Sequence, residues 1–321
     1  MPFEWVGIVV ALVIILPLNR RVLFGFCDLL SRGMYRFDRR GKRRALENLR
    51  IVRGTCTGSE GTPDFDPDRA QYNPTRDEER IIRRSYRNMA RTVGYAFWTM
   101  VRAKTRCEAS GGMDDRVRAF LAANRPAVTV SAHLGCWEIL SQLAFLEGHR
   151  MMSVAKDIGT SGMTRLLMRA RRSIGQEIVS AKGAFRALLR GVRDGKSLGL
   201  LVDQRVSVRK GGVRIRFFDR PMSVSAAPAF FASKAGLPII VAWSRPLKDG
   251  RYRCEFVSSY APDKTEDVNG LTQRIADDLA RVIRRHPSCW VLNYNYFASR
   301  SPIVCDGSVP LGNVSAGETD R

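Results

Sequence analysis

Ala127-Val128-Thr129-Val130-Ser131-Ala132-His133-Leu134-Gly135-Cys136-Trp137-Glu138 is the stretch on which the reading of this chain turns. Its first six residues, small or β-branched, predict a buried strand, and 136–146 predicts a helix. Gly135 marks the turn between them. His133 then stands at the carboxyl end of a strand, where open α/β sheets place their ligands.

Working outward, the same alternation continues. Strands are predicted at 127–132, 151–155, 177–180, 198–202, 237–243, 252–257 and 290–294, and helices at 136–146, 162–173, 184–193, 225–235 and 267–285. The fold class is therefore α/β, a central mixed sheet flanked by helices. Upstream, Ile82, Tyr86, Met89, Val93, Phe97 and Met100 recur at helical steps and predict one long amphipathic helix. Before that helix, 54–77 is rich in Gly, Thr, Pro and Asp and reads as a surface loop that interrupts the N-terminal helical region.

The N-terminus adds an uncharged apolar run from Trp5 to Leu18, closed by Arg20 and Arg21. We read 1–26 as a hydrophobic anchor helix, short for a full span, with the basic pair holding the rest of the chain on the cytoplasmic face. One α/β domain is expected over 27–306 and a flexible tail over 307–321. Lys plus Arg number 53 against 31 Asp plus Glu, a net charge of +22, so anionic partners are expected. Eight basic residues between Arg32 and Arg50 follow the apolar run directly, which favours an anionic membrane surface over nucleic acid. No recognition-helix, zinc-finger or aromatic-platform motif supports a nucleic-acid binder. The seven scattered cysteines form no CxxC pair, and a reduced compartment without a structural metal is expected.

His133 and Glu138 carry the candidate chemistry. Five positions on one helix are about 140° apart, so they meet only if His133 sits in the turn and Glu138 in the first helical turn. A carboxylate there would fix the imidazole tautomer and leave the other ring nitrogen to take a proton from a substrate hydroxyl. Backbone N–H groups near Gly135 would hold an oxyanion or a phosphate. His149 and His286 read as structural residues.

The spacing is common on its own, but its company is specific. Asn48-Leu49 lies in a basic helix; Gly199-Leu200-Leu201-Val202-Asp203-Gln204, Gly211-Gly212-Val213, Phe217-Phe218 with Arg220-Pro221, and Lys234-Ala235-Gly236-Leu237-Pro238 follow in order. From about Pro17 to Pro302 the chain resembles the late acyltransferases of lipid A biosynthesis and their phosphatidylinositol mannoside acyltransferase relatives. The resemblance implies a glycerolipid-acyltransferase-like fold. It also implies His133 as general base with Glu138 as partner, Arg169 or Arg171 near the phosphate or acyl carbonyl, and Asp203 and Gln204 closing the site. The implied donor is acyl carrier protein or acyl-CoA and the acceptor a membrane glycolipid at the inner membrane. No metal or organic cofactor is required. Two departures, Phe217-Phe218-Asp219 for Phe-Phe-Gly and Pro287-Ser288-Cys289-Trp290 for Pro-x-Gln-Trp, bear on the acceptor. The alternatives are a glycerolipid acyltransferase, a basic nucleic-acid-binding protein and a non-catalytic membrane-surface protein.

Overall fold

The computed structural model describes residues 19–55, 71–101, 110–124, 126–155, 176–180, 183–261, 263, 265 and 267–297. Three helices lead: α1 (Arg20–Phe37), α2 (Arg39–Arg53) and α3 (Arg76–Val101). Then come β1 (Ser110–Met113), α4 (Asp115–Ala123), β2 (Val128–Ser131), α5 (Trp137–Leu146), β3 (Met151–Ala155), β4 (Gln176–Ser180), α6 (Ala184–Arg193) and β5 (Ser197–Leu201). The hairpin β6 (Gly212–Phe217) and β7 (Arg220–Ser225) precedes α7 (Ala227–Ala235), β8 (Ile239–Pro246), β9 (Tyr252–Tyr260) and α8 (Val268–Arg285).

Seven strands form one sheet in the order β1-β9-β8-β2-β5-β3-β4, parallel from β8 to β4, with β9 antiparallel to β8. Its central strands are buried on both faces, which explains their near-continuous apolar character. The period of two is visible in β8: Ile239 and Val241 enter one core, with Phe231 of α7 and Leu271, Ile275, Leu279 and Ile283 of α8. Ile240 and Ala242 enter the other, with Val117 and Leu121 of α4 and Ile139 and Leu143 of α5. Both layers cover β2, so His133 emerges at the centre of the sheet edge.

Asp38 separates α1 from α2 by capping: its carboxylate accepts from the Gly41 N–H at 2.7 Å and from the Tyr86 hydroxyl at 2.8 Å. Gly54, at φ +68, closes α2 in the left-handed conformation.

Three expectations change. No apolar anchor helix is among the described elements: residues 1–18 lie outside the described residues, and α1 runs unbroken through position 26 as an amphipathic helix. No described helix is long and apolar enough to cross a membrane. The expected strand 290–294 is a turn, with Trp290 making one bridge to Leu134, because its backbone groups bond to the side chains of Ser85 and Asn48 instead of a neighbouring strand. On α3, Val93 is 46% exposed while Ser85 and Thr92 are buried, since the helix packs against several elements instead of showing one stripe. The helix expected at 162–173, most of the loop at 54–77 and the tail at 307–321 lie outside the described residues.

Candidate active site

Strand register places the site. In the parallel pair β2 and β5, Ser131 stands opposite Leu201. His133 and Asp203 each follow two residues later, so they leave the sheet at the same level on adjacent strands. The imidazole Nδ1 lies 2.7 Å from Asp203 Oδ1, and the His133 backbone N–H donates to Asp203 Oδ2 at 3.0 Å. The Trp290 indole N–H donates to the same Oδ2 at 2.9 Å. Asp203 is 1% exposed. Burial alone opposes its charge, but the His133 charge and these donors outweigh it, and the carboxyl stays below its ordinary range.

An ionised carboxylate on Nδ1 keeps the proton on that nitrogen and leaves a lone pair on Nε2. The Gln204 amide nitrogen is 3.3 Å from Nε2. It donates there at the long end of the hydrogen-bond range. The Trp137 ring meets the imidazole edge-on at 4.9 Å between centroids.

Glu138, expected as the partner of His133, lies in the first turn of α5 as predicted and borders a cavity there; the hydrogen bond on Nδ1 belongs to Asp203. Gly135 also differs from its expected role. Its N–H donates to the Cys289 carbonyl at 2.9 Å, so it offers no oxyanion donor. At φ +64, with the Ser244 carbonyl oxygen 1.7 Å from where a Cβ would stand, only glycine fits this turn. Arg169 and Arg171 lie outside the described residues.

The residue that sequence reasoning missed is Trp290. It is 1% exposed, stacked on Tyr296 at 4.0 Å and flanked by Phe217 and Phe218. Its loop is tied to the N-terminal helices. Ser85 Oγ donates to the Trp290 carbonyl at 2.6 Å, Asn88 to Ser288 at 2.8 Å, and Asn48 to Leu292 and Tyr294 at 2.7 and 2.8 Å. The Asn48-Leu49 motif is thus a clamp on the loop that holds Asp203. The sequence signal was the tryptophan in Pro287-Ser288-Cys289-Trp290.

The other departure has a backbone cause. Phe218 and Asp219 are the central residues of the β6–β7 turn, at φ +52 and +61. Such a two-residue turn favours glycine or asparagine, and aspartate tolerates it. It therefore carries no statement about the acceptor.

Beside Trp137 and Glu138 a cavity runs between the sheet and α4 and α5, walled by Leu121, Leu140, Met151, Ile178 and Leu201. Its floor is a row of small residues across three strands: Thr129 opposite Gly199 on β5, and Gly199 opposite Ser153 on β3. A Cβ on Gly199 would come within 2.9 Å of Ser153 Oγ. Missing side-chain volume, rather than any polar group, makes this space.

Residues 72–297 match the family described as "Bacterial lipid A biosynthesis acyltransferase", which is more than half of the chain and contains every described site residue except Asn48. The chain belongs to this family. It is also similar to "Phosphatidylinositol mannoside acyltransferase" of Mycobacterium tuberculosis, 25% identical over 184 residues, 56% of this chain and 57% of that protein. The protein of the same name in Mycolicibacterium smegmatis is 25% identical over 183 residues, 55% of this chain and 58% of that one. The chain thus spans little more than half the length of these relatives.

Proposed function

We propose that this family member transfers a fatty acyl chain from a thioester donor, acyl carrier protein or acyl-CoA, to a hydroxyl of a lipid A precursor or related membrane glycolipid. The observation that carries the reading is the His133–Asp203 pair, whose imidazole meets Trp137 on the wall of an apolar cavity. In this scheme the acyl chain lies in the cavity, over Thr129, Gly199 and Ser153, with its thioester near Trp137. The acceptor hydroxyl displaces the Gln204 amide from Nε2, His133 takes its proton, and the oxygen attacks the thioester carbonyl. Asp203 stabilises the imidazolium formed in that step, and the same proton then goes to the departing thiolate. Glu138 lies on the cavity wall, away from the Nδ1 hydrogen bond. Arg169 or Arg171 is assigned to the oxyanion or an acceptor phosphate. Both substrates are amphiphiles or acidic carriers, and the net charge of +22 favours an anionic membrane surface. The proposed location is the cytoplasmic face of the inner membrane.

The test is acyl transfer from labelled acyl carrier protein to extracted membrane lipids by wild type and His133→Ala. The scheme expects loss of transfer with unchanged circular dichroism. Full turnover by the folded variant would remove His133 from the role of base. Transfer only to glycerol phosphate would favour the glycerolipid alternative.

A further inference from the structure

A second cavity lies between α1 and α3 and shares no lining residue with the one beside Trp137. Six arginines line it, Arg32 from α1 and Arg76, Arg80, Arg83, Arg84 and Arg87 from α3, against the carboxylates of Asp28 and Glu79. Both carboxylates are already engaged. Asp28 receives two hydrogen bonds of 2.6 Å from Arg91, and Glu79 accepts from Arg83 at 2.7 Å and from Tyr35 at 2.9 Å. Arg80 pairs with Asp77. Arg32, Arg76, Arg84 and Arg87 have no carboxylate partner among the described residues. The Arg87 Nε is moreover buried with no acceptor among the described residues, which is costly for a guanidinium unless an anion is to be received there. Several forked donors converging on one cavity suit a phosphate group, whose oxygens accept paired N–H bonds.

The outer face of α1 indicates the source of that phosphate. Val22, Phe26, Leu29, Leu30, Met34 and Phe37 are all exposed, Phe37 at 81%, and recur at helical steps along one side. The opposite side, Leu23, Phe24, Cys27 and Tyr35, is buried. Arg32 follows Leu29 by three positions and so borders both the stripe and the cavity. An apolar stripe flanked by arginines is the pattern of a helix lying in a bilayer interface.

We propose that the α1–α3 edge binds an anionic bilayer through a headgroup phosphate seated in the arginine cavity, with the α1 stripe in the headgroup–acyl boundary. The proposal rests on the membrane-surface reading given above and adds to it a defined headgroup site outside the catalytic cavity. It is tested by sedimenting the full chain with phosphatidylcholine vesicles, with and without phosphatidylglycerol. Arg84→Gln/Arg87→Gln is compared with Arg190→Gln/Arg193→Gln, which removes the same two charges from the exposed side of α6. The cavity pair is expected to lose the phosphatidylglycerol-dependent affinity by about tenfold and the α6 pair by less than about threefold. Should the cavity pair misfold, the exposed Arg84→Gln alone carries the comparison. Equal losses would overturn the headgroup site while leaving the membrane reading standing. Wild type that sediments with neither vesicle would overturn both. Release by inorganic phosphate at matched ionic strength would reassign the cavity to free phosphate and overturn the lipid.

Discussion

Trp290 donates its indole N–H to Asp203 at 2.9 Å, on the same carboxylate oxygen that accepts from the His133 backbone. A loop after α8 therefore completes the environment of a charge set by the central strands.

Trp290→Phe keeps most of the ring packing and removes that donor. Losing one hydrogen bond to a buried charge is expected to cost about 2 kcal/mol of stability and roughly tenfold in turnover. The sign with pH follows from the depressed carboxyl of Asp203. Its stabilisation is present above the unfolded value of about 4 and lost as pH falls through the folded one. The gap in unfolding free energy between wild type and variant should thus be full at pH 7 and shrink in acid, as denaturant titrations would show.

Asn48→Ala removes two hydrogen bonds to the Leu292 and Tyr294 carbonyls. About 2–3 kcal/mol of stability should go with them. Turnover should fall with less change in KM, because Asn48 touches the Trp290 loop and not the cavity. A change in KM alone would contradict the clamp.

Much of this architecture was legible in the sequence. The strand at 151–155 and the helix at 184–193 stand where periodicity placed them, and residues 128–131 form the strand before His133. Local pattern suffices there because each element buries an apolar face of its own. The Asp203 contact to Nδ1 was not legible, since it depends on the β2–β5 register across 70 residues of chain. Neither was Trp290, whose segment reads locally as a strand but is held by side chains of α2 and α3. The β6–β7 hairpin hid behind Phe218 and Asp219, because its turn lacks the usual glycine.

Thr129→Leu or Ser153→Leu would fill the cavity floor. Thr129→Leu adds about one methylene-sized group and Ser153→Leu about two where an acyl chain is proposed to lie. With donors of graded length, the longest chain transferred should shorten by about one or two carbons, read by mass spectrometry of the product. An unchanged length profile would place the chain elsewhere.

Glu47 on α2 has its carboxyl pushed up to about 7 by burial, with the Arg220 charge opposing. A raised folded value means the folded state holds the proton more tightly, so stability falls as pH rises from about 4.5 to 7. Glu47→Gln is expected to gain on the order of 1–3 kcal/mol at pH 8 and almost nothing at pH 4. Thermal melts across that range check both limbs.

The central claim is that the carboxylate serving His133 is Asp203. The most direct measurement compares turnover of Asp203→Asn and Glu138→Gln on one donor and acceptor, both checked for fold by circular dichroism. Loss of the charge on Nδ1 is expected to cost about a thousandfold in Asp203→Asn, and Glu138→Gln no more than about tenfold. A folded Asp203→Asn that keeps near-normal turnover while Glu138→Gln loses it would contradict the account.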